Sequence, residues 1–172
     1  MPVEAQLEEG IREGYSPPGH EPPLGGYAAT SAAFNALFAV ALGVAARSGR
    51  LPERVEPQDV ALIGVASHKL SRVVTKDKIT AFARAPFTAY QRAGAPGEVE
   101  ERARGRGIRR AIGELLVCPY CLSVWTSAGL HLGLVYATRS TRVVASALSS
   151  LTIADFLHIA YKAAERRALG ED

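Results

Sequence analysis

The sequence predicts an all-α fold, a polytopic membrane bundle of four spans, or three if the weakest candidate does not cross. Three observations carry that expectation. The 172-residue chain is 48% hydrophobic although it carries a formal charge of +3, and its mean hydropathy is +0.05. Its apolar residues are gathered into runs of about the 20 positions that a bilayer-spanning helix needs. A dense group of cations separates two of those runs.

The first run, residues 27–46, reads "YAATSAAFNALFAVALGVAA" and has no charged residue. A secretory signal would place a short basic region before it. Here the preceding residues are acidic and rich in proline and glycine, so residues 1–26 read as a flexible solvated tail. "SPPGHEPPLGG" ends any helix that Glu4, Glu8, Glu9 and Glu13 begin.

The second run, residues 59–75, "DVALIGVASHKLSRVVT", follows Pro57 and is apolar through Ala66 before it meets His68, Lys69 and Arg72. It reads as a short tilted span whose basic end reaches the headgroups, with an interfacial helix as the alternative. Residues 112–137 form the third run, interrupted by Glu114 and His131, and residues 143–161 form the fourth, interrupted by Asp155 and His158.

Between the second and third runs lie Lys76, Lys78, Arg84, Arg92, Arg102, Arg104, Arg106, Arg109 and Arg110 against Asp77, Glu98, Glu100 and Glu101. The positive-inside bias places this loop, residues 75–111, in the cytoplasm. Lys162, Arg166 and Arg167 place the C-terminal tail, residues 162–172, on the same side. The expected organisation is a tail over 1–26, a helical membrane domain over 27–161 in the cell membrane, and a cytoplasmic tail. Four spans put the N-terminus in the cytoplasm and three put it outside.

Cys118-Pro119-Tyr120-Cys121 resembles the dithiol of a glutaredoxin. A Cys-x-x-Cys means redox chemistry only in the right structural context. A thioredoxin-like domain would follow the motif with strands and a proline loop, whereas here an apolar run without proline follows. That fold is not expected, and neither is a lasting disulfide in a reducing compartment.

On one helix Glu114, Cys118, Cys121 and Trp125 fall at i, i+4, i+7 and i+11, a single stripe. His68 and Arg72 on the second run, and Asp155 and His158 on the fourth, fall at similar depth. Ionisable groups in a membrane face the bundle interior and pair there, so a polar cluster of Arg72, Asp77, Arg84, Glu114 and Asp155 is expected beneath the cytoplasmic surface. Cys118 and Cys121 with His68 and His158 would suit zinc, which takes thiolate and imidazole in a tetrahedral set. One Cys-x-x-Cys is half such a site, and packing cysteines are the plainer alternative. His131, between Gly129 and Gly133, is expected to donate across a close helix contact.

Taken together, "SRVVTKDKITAFARAPF" and "GELLVCPYCLSVW" resemble the small bacterial membrane proteins of domain-of-unknown-function family 1360. The resemblance covers roughly residues 57–161. It rests on Arg72, Asp77, Lys78, Arg84, Pro86 and Phe87, then on Gly113, Glu114, Cys118, Pro119, Cys121 and Trp125. It implies a membrane location and brings no activity.

The sequence holds no recognisable nucleophile and base pair, phosphate-binding glycine loop or metalloprotease motif. A non-enzymatic scaffold or accessory subunit therefore leads over a zinc-dependent membrane enzyme or sensor. "VTKDKITAFARAPFTAY" alternates cations with Ile79, Phe82, Phe87 and Tyr90, which suits an anionic lipid surface, and the same loop offers a protein partner a surface. Nucleic acid is set aside, because the positive-inside bias already accounts for the charge. Oligomers are left open.

Overall fold

The structure, a computed structural model, describes residues 15–17 and 21–170. Most of the expected acidic tail, including Glu4, Glu8, Glu9 and Glu13, and the last two residues lie outside that range. In order the elements are α1 (Leu24–Arg47), α2 (Pro57–Thr75), a 3-10 turn (Lys78–Thr80), α3 (Ala81–Arg84), β1 (Thr88–Ala93), β2 (Val99–Ala103), α4 (Gly107–Val117) and α5 (Pro119–Leu169).

Local chemistry explains the boundaries. Pro57 and Pro119 each occupy the first turn of their helix, where a missing N–H costs nothing. Helix α1 stops where the Ser48 hydroxyl and amide return to the Val44 carbonyl and Gly49 turns left-handed at φ 64°.

Helix α5 is two rods. Ala137 leaves helical geometry (φ −147°, ψ 57°), and the chain reverses there. Ser67 of α2 reaches Thr126, and two residues earlier Val65 accepts from Thr152, although positions 126 and 152 would stand about 39 Å apart on one straight helix. Gly133 makes the reversal tight, since a Cβ there would meet Thr141 Oγ1 at 2.7 Å.

The contacts fix the directions of the four rods. Along α1, Tyr27, Phe34 and Ala41 meet Glu114, Trp125 and Tyr136, so α1 runs parallel to the arm 119–136. Along α2, Asp59, Leu62, Val65 and Lys69 meet Arg142, Ser149, Thr152 and Asp155, so α2 runs parallel to the arm 138–169 and against the other pair. The core between them is small: Ile63, Ala66, Leu130 and Ala145, flanked by Leu62, Leu70, Leu134 and Leu148.

One expectation is reached only in part, and another is corrected. By length and composition two helices, Leu24–Arg47 and Pro119–Leu169, could cross a membrane, so a count of four spans is not reached on that measure. His68, Lys69 and Arg72 hold α2 below it, and the third run from Pro119 onward and the fourth, the two arms that meet at Ala137, fall within the single range Pro119–Leu169. The fold is also not purely helical. The basic segment contains an antiparallel hairpin in which Thr88 pairs with Ala103 and Ala93 with Val99, with an irregularity between Tyr90 and Arg92.

Candidate functional site

Residues 76–117 form a compact cap at one end of the bundle, and the sequence motifs fall on its seam. Arg84 is its centre, 1% exposed. Its Nε donates to Glu101 Oε2 at 2.5 Å, Nη1 donates to the Val74 carbonyl at 2.7 Å and to Thr80 Oγ1 at 2.6 Å, and Nη2 donates to the Asp77 carbonyl at 3.2 Å. Thr88 Oγ1 donates to the other Glu101 oxygen at 3.1 Å. The pair is thus dry and fully hydrogen-bonded, the condition under which a buried ion pair is tolerated. It ties the last turn of α2 to the hairpin.

Around it the α2 terminus pairs outward. Arg72 donates to Glu98, and Lys76 donates to Glu100 at 2.9 Å. That hydrogen bond holds the Glu100 carboxyl below its usual range. Burial pushes Asp77 the other way, above the ordinary aspartate value, with Lys69 opposing. Lys69 itself donates to Asp155 at 2.7 Å.

Gly113 lets α4 lie against the hairpin: a Cβ there would stand 2.5 Å from the Phe87 carbonyl and 3.0 Å from Ala103. Gly26 does the same for α1, where a Cβ would meet that of Ala111 at 2.6 Å.

The tetrapeptide sits where cap becomes bundle. Cys118 is extended (φ −108°, ψ 102°), ending α4 and capping α5, because the residue before a proline is driven from helical geometry. Its Sγ accepts the Cys121 N–H at 3.2 Å. Both cysteines are free thiols, Cys118 half-buried and Cys121 exposed.

The expected stripe is therefore broken at Cys118. Glu114, Cys121 and Trp125 nevertheless line one cavity of about 340 Å³ against α1, with Tyr27, Thr30, Ser31 and Asn35 opposite. Glu114 is held there by the Tyr27 hydroxyl and by Arg110 Nε at 2.9 Å. Tyr27 was not among the residues that the sequence singles out. The one signal for it was a lone acid at the edge of an apolar run, which needs a donor.

The remaining candidates are brought together only in part. His68 and His158 are exposed, and no three His, Cys, Asp or Glu side chains stand close enough to hold a metal ion among the described residues. Of the expected polar cluster, Arg72, Asp77 and Arg84 meet in the cap and Asp155 adjoins them through Lys69, whereas Glu114 stands on the α1 side. His131 bonds the Ser127 carbonyl of its own helix at 2.9 Å, so the expected donation to a neighbouring helix is not made, and Gly129 meets no neighbour.

The sequence model of a family described as protein of unknown function (DUF1360) matches residues 62–161. No curated protein and no solved structure matches the chain.

Proposed function

The chain belongs to the DUF1360 family, and from that premise we propose that it is an integral membrane platform: four helical rods crossing the bilayer and holding the cap at its cytoplasmic face. One observation carries the reading. The apolar windows of Leu24–Arg47 and Pro119–Leu169 are only 6% and 11% buried. A core helix of a soluble protein hides such a surface, and monomers rarely leave an apolar patch of that extent in water. Leu37, Val40, Val143, Ile153, Phe156 and Ile159 all point outward. Hydrocarbon is the solvent that suits them, and helices satisfy their own backbone there.

Four antiparallel rods support a reading of four crossings, although by length and composition alone two helices qualify. With the shared helix reversed at Ala137, α2 lies between crossing neighbours and its Lys69 and Arg72 are neutralised by Asp155 and Glu98. The N-terminal end of α1, the cap and the end of the last rod then share one side. Charge supports the cytoplasm for that side. The opposite end has Arg47, Arg50, Arg54, Arg139 and Arg142, against nine cations in residues 75–111 with Lys162, Arg166 and Arg167 beyond.

On the cap, Lys78, Arg92, Arg102, Arg104, Arg106 and Arg109 make no ion pair among the described residues, and Ile79 and Phe82 stand exposed beside Lys78. Cations near an anionic leaflet contribute about 1 kcal/mol each. The platform thus presents a basic face to anionic headgroups or to a protein partner, the role of an accessory subunit. Residues 1–26 and 162–172 would be its cytoplasmic tails.

Fractionation tests the reading. The protein should stay with membranes through an alkaline carbonate wash and enter solution with detergent. Recovery as a soluble monomer without detergent would overturn it.

A further inference from the structure

We propose that Cys118 and Cys121 are a working dithiol that reduces disulfides at the seam between cap and bundle. The fold is unrelated to that of glutaredoxins, yet the local arrangement needed for thiol exchange is present. Cys118 caps α5, its sulfur accepts the Cys121 amide, and Pro119 fixes the first turn. The first turn of a helix, with its unpaired N–H groups, is where a thiolate is best stabilised by backbone dipoles. Residues three apart on a helix have Cα atoms about 5 Å apart, inside the roughly 4.4–6.8 Å that a disulfide spans. Glu114 and Cys121 line the same cavity. A packing role would not require a cysteine at the cap, where serine or aspartate serves better.

The chemistry balances without a cofactor. The Cys118 thiolate attacks one sulfur of a substrate disulfide, and the departing thiolate takes a proton from water. Cys121 gives its proton to Glu114, attacks the Cys118 sulfur and expels the second thiol, which takes that proton back. The substrate gains two electrons and two protons, and the Cys118–Cys121 disulfide is returned to the dithiol by a low-molecular-weight thiol of the cytosol.

The test uses the full-length protein in detergent, so it does not depend on which way the bundle faces. Glutathione disulfide is the probe, and masses are read after acid quenching and alkylation. The native protein should form an intramolecular disulfide with loss of two mass units and no lasting adduct. Cys121→Ser should accumulate one glutathione adduct, and Cys118→Ser, whose serine preserves the helix cap, at least ~10-fold less at the same time. Glu114→Gln should slow release of glutathione from the adduct by about 10-fold or more at neutral pH. A native protein that stays dithiol in excess glutathione disulfide, or equal trapping by the two serine variants, would overturn the proposal. An unchanged release rate in Glu114→Gln would remove the carboxylate from it.

Discussion

The cap is centred on a buried charge pair, and the bundle on small uncharged side chains. Inside the cap the buried centre is a charged pair, Arg84 at 1% exposure with Glu101 and with Thr88 at 3%, beside the apolar Val99 and Ala111. Inside the bundle they are small and uncharged, Ala45, Ala66 and Ala145 with Ser67, Ser71, Thr141 and Thr152 around Ile63 and Leu130, while many large apolar residues face outward. Water around the cap makes a buried, saturated polar cluster a way to fix one geometry. In the proposed bilayer, lipid around the bundle would remove the hydrophobic drive between helices, leaving close approach of small residues and interhelical hydrogen bonds to hold the rods.

The sharpest break of that contrast comes from the cap's ion pair. Glu101→Gln or Arg84→Met leaves an unpaired buried charge or unfilled donors, and should cost about 3–5 kcal/mol of cap stability. Proteolysis of the hairpin in detergent reads it, with the rods retaining their helical signal. The double variant should recover part of the loss.

Next in size is Gly113→Ala. Its new methyl would stand 2.5 Å from the Phe87 carbonyl, and overpacking of this kind costs roughly 1–3 kcal/mol. Loosening of α4 from the hairpin should appear as faster amide exchange at Arg104, whose N–H donates to that carbonyl at 2.9 Å.

In the bundle the comparable change is milder. Ser67 Oγ meets Thr126 Oγ1 at 2.7 Å and donates to the Ser123 carbonyl at 3.1 Å. Ser67→Ala should cost about 0.5–1.5 kcal/mol, read by thermal unfolding in detergent. A loss as large as that of Arg84→Met would erase the distinction between the two regions.

The smallest effects are those of pH on the cap. Glu100, held below its usual range by Lys76, contributes stability that is present above the ordinary glutamate value and is lost as pH falls through its lowered one. Asp77, pushed up by burial, has the opposite sign: its contribution is full below the ordinary aspartate value and fades as pH rises through its raised one. Glu100→Gln should therefore flatten the acid limb of cap unfolding, and Asp77→Asn should be neutral or stabilising at pH 7.

Much of the bundle was legible in the sequence, because an uncharged run such as 27–46 allows little except a buried or lipid-facing helix. The separation of the third and fourth runs survives as the reversal at Ala137, though no glycine or proline stands there to announce it. The cap was not legible. "TAYQRA" and "VEERA" lack the alternating apolar pattern of a strand, and they pair because Arg84, Glu101 and the Asp77–Glu98 bridge hold them together. The break at Cys118 was readable from Pro119, yet the helical spacing of Glu114, Cys118, Cys121 and Trp125 argued for continuity. Three of those four still line one cavity.

The central claim is that the rods cross a bilayer with the cap on the cytoplasmic side, and paired reporters test it most directly. Topology reporters inserted at Gly94, in the hairpin turn, and at Gly49, between α1 and α2, should report opposite sides, with Gly94 cytoplasmic. A tag at Met1 should share the side of Gly94. Gly94 and Gly49 on the same side, or Gly94 outside, would contradict the account.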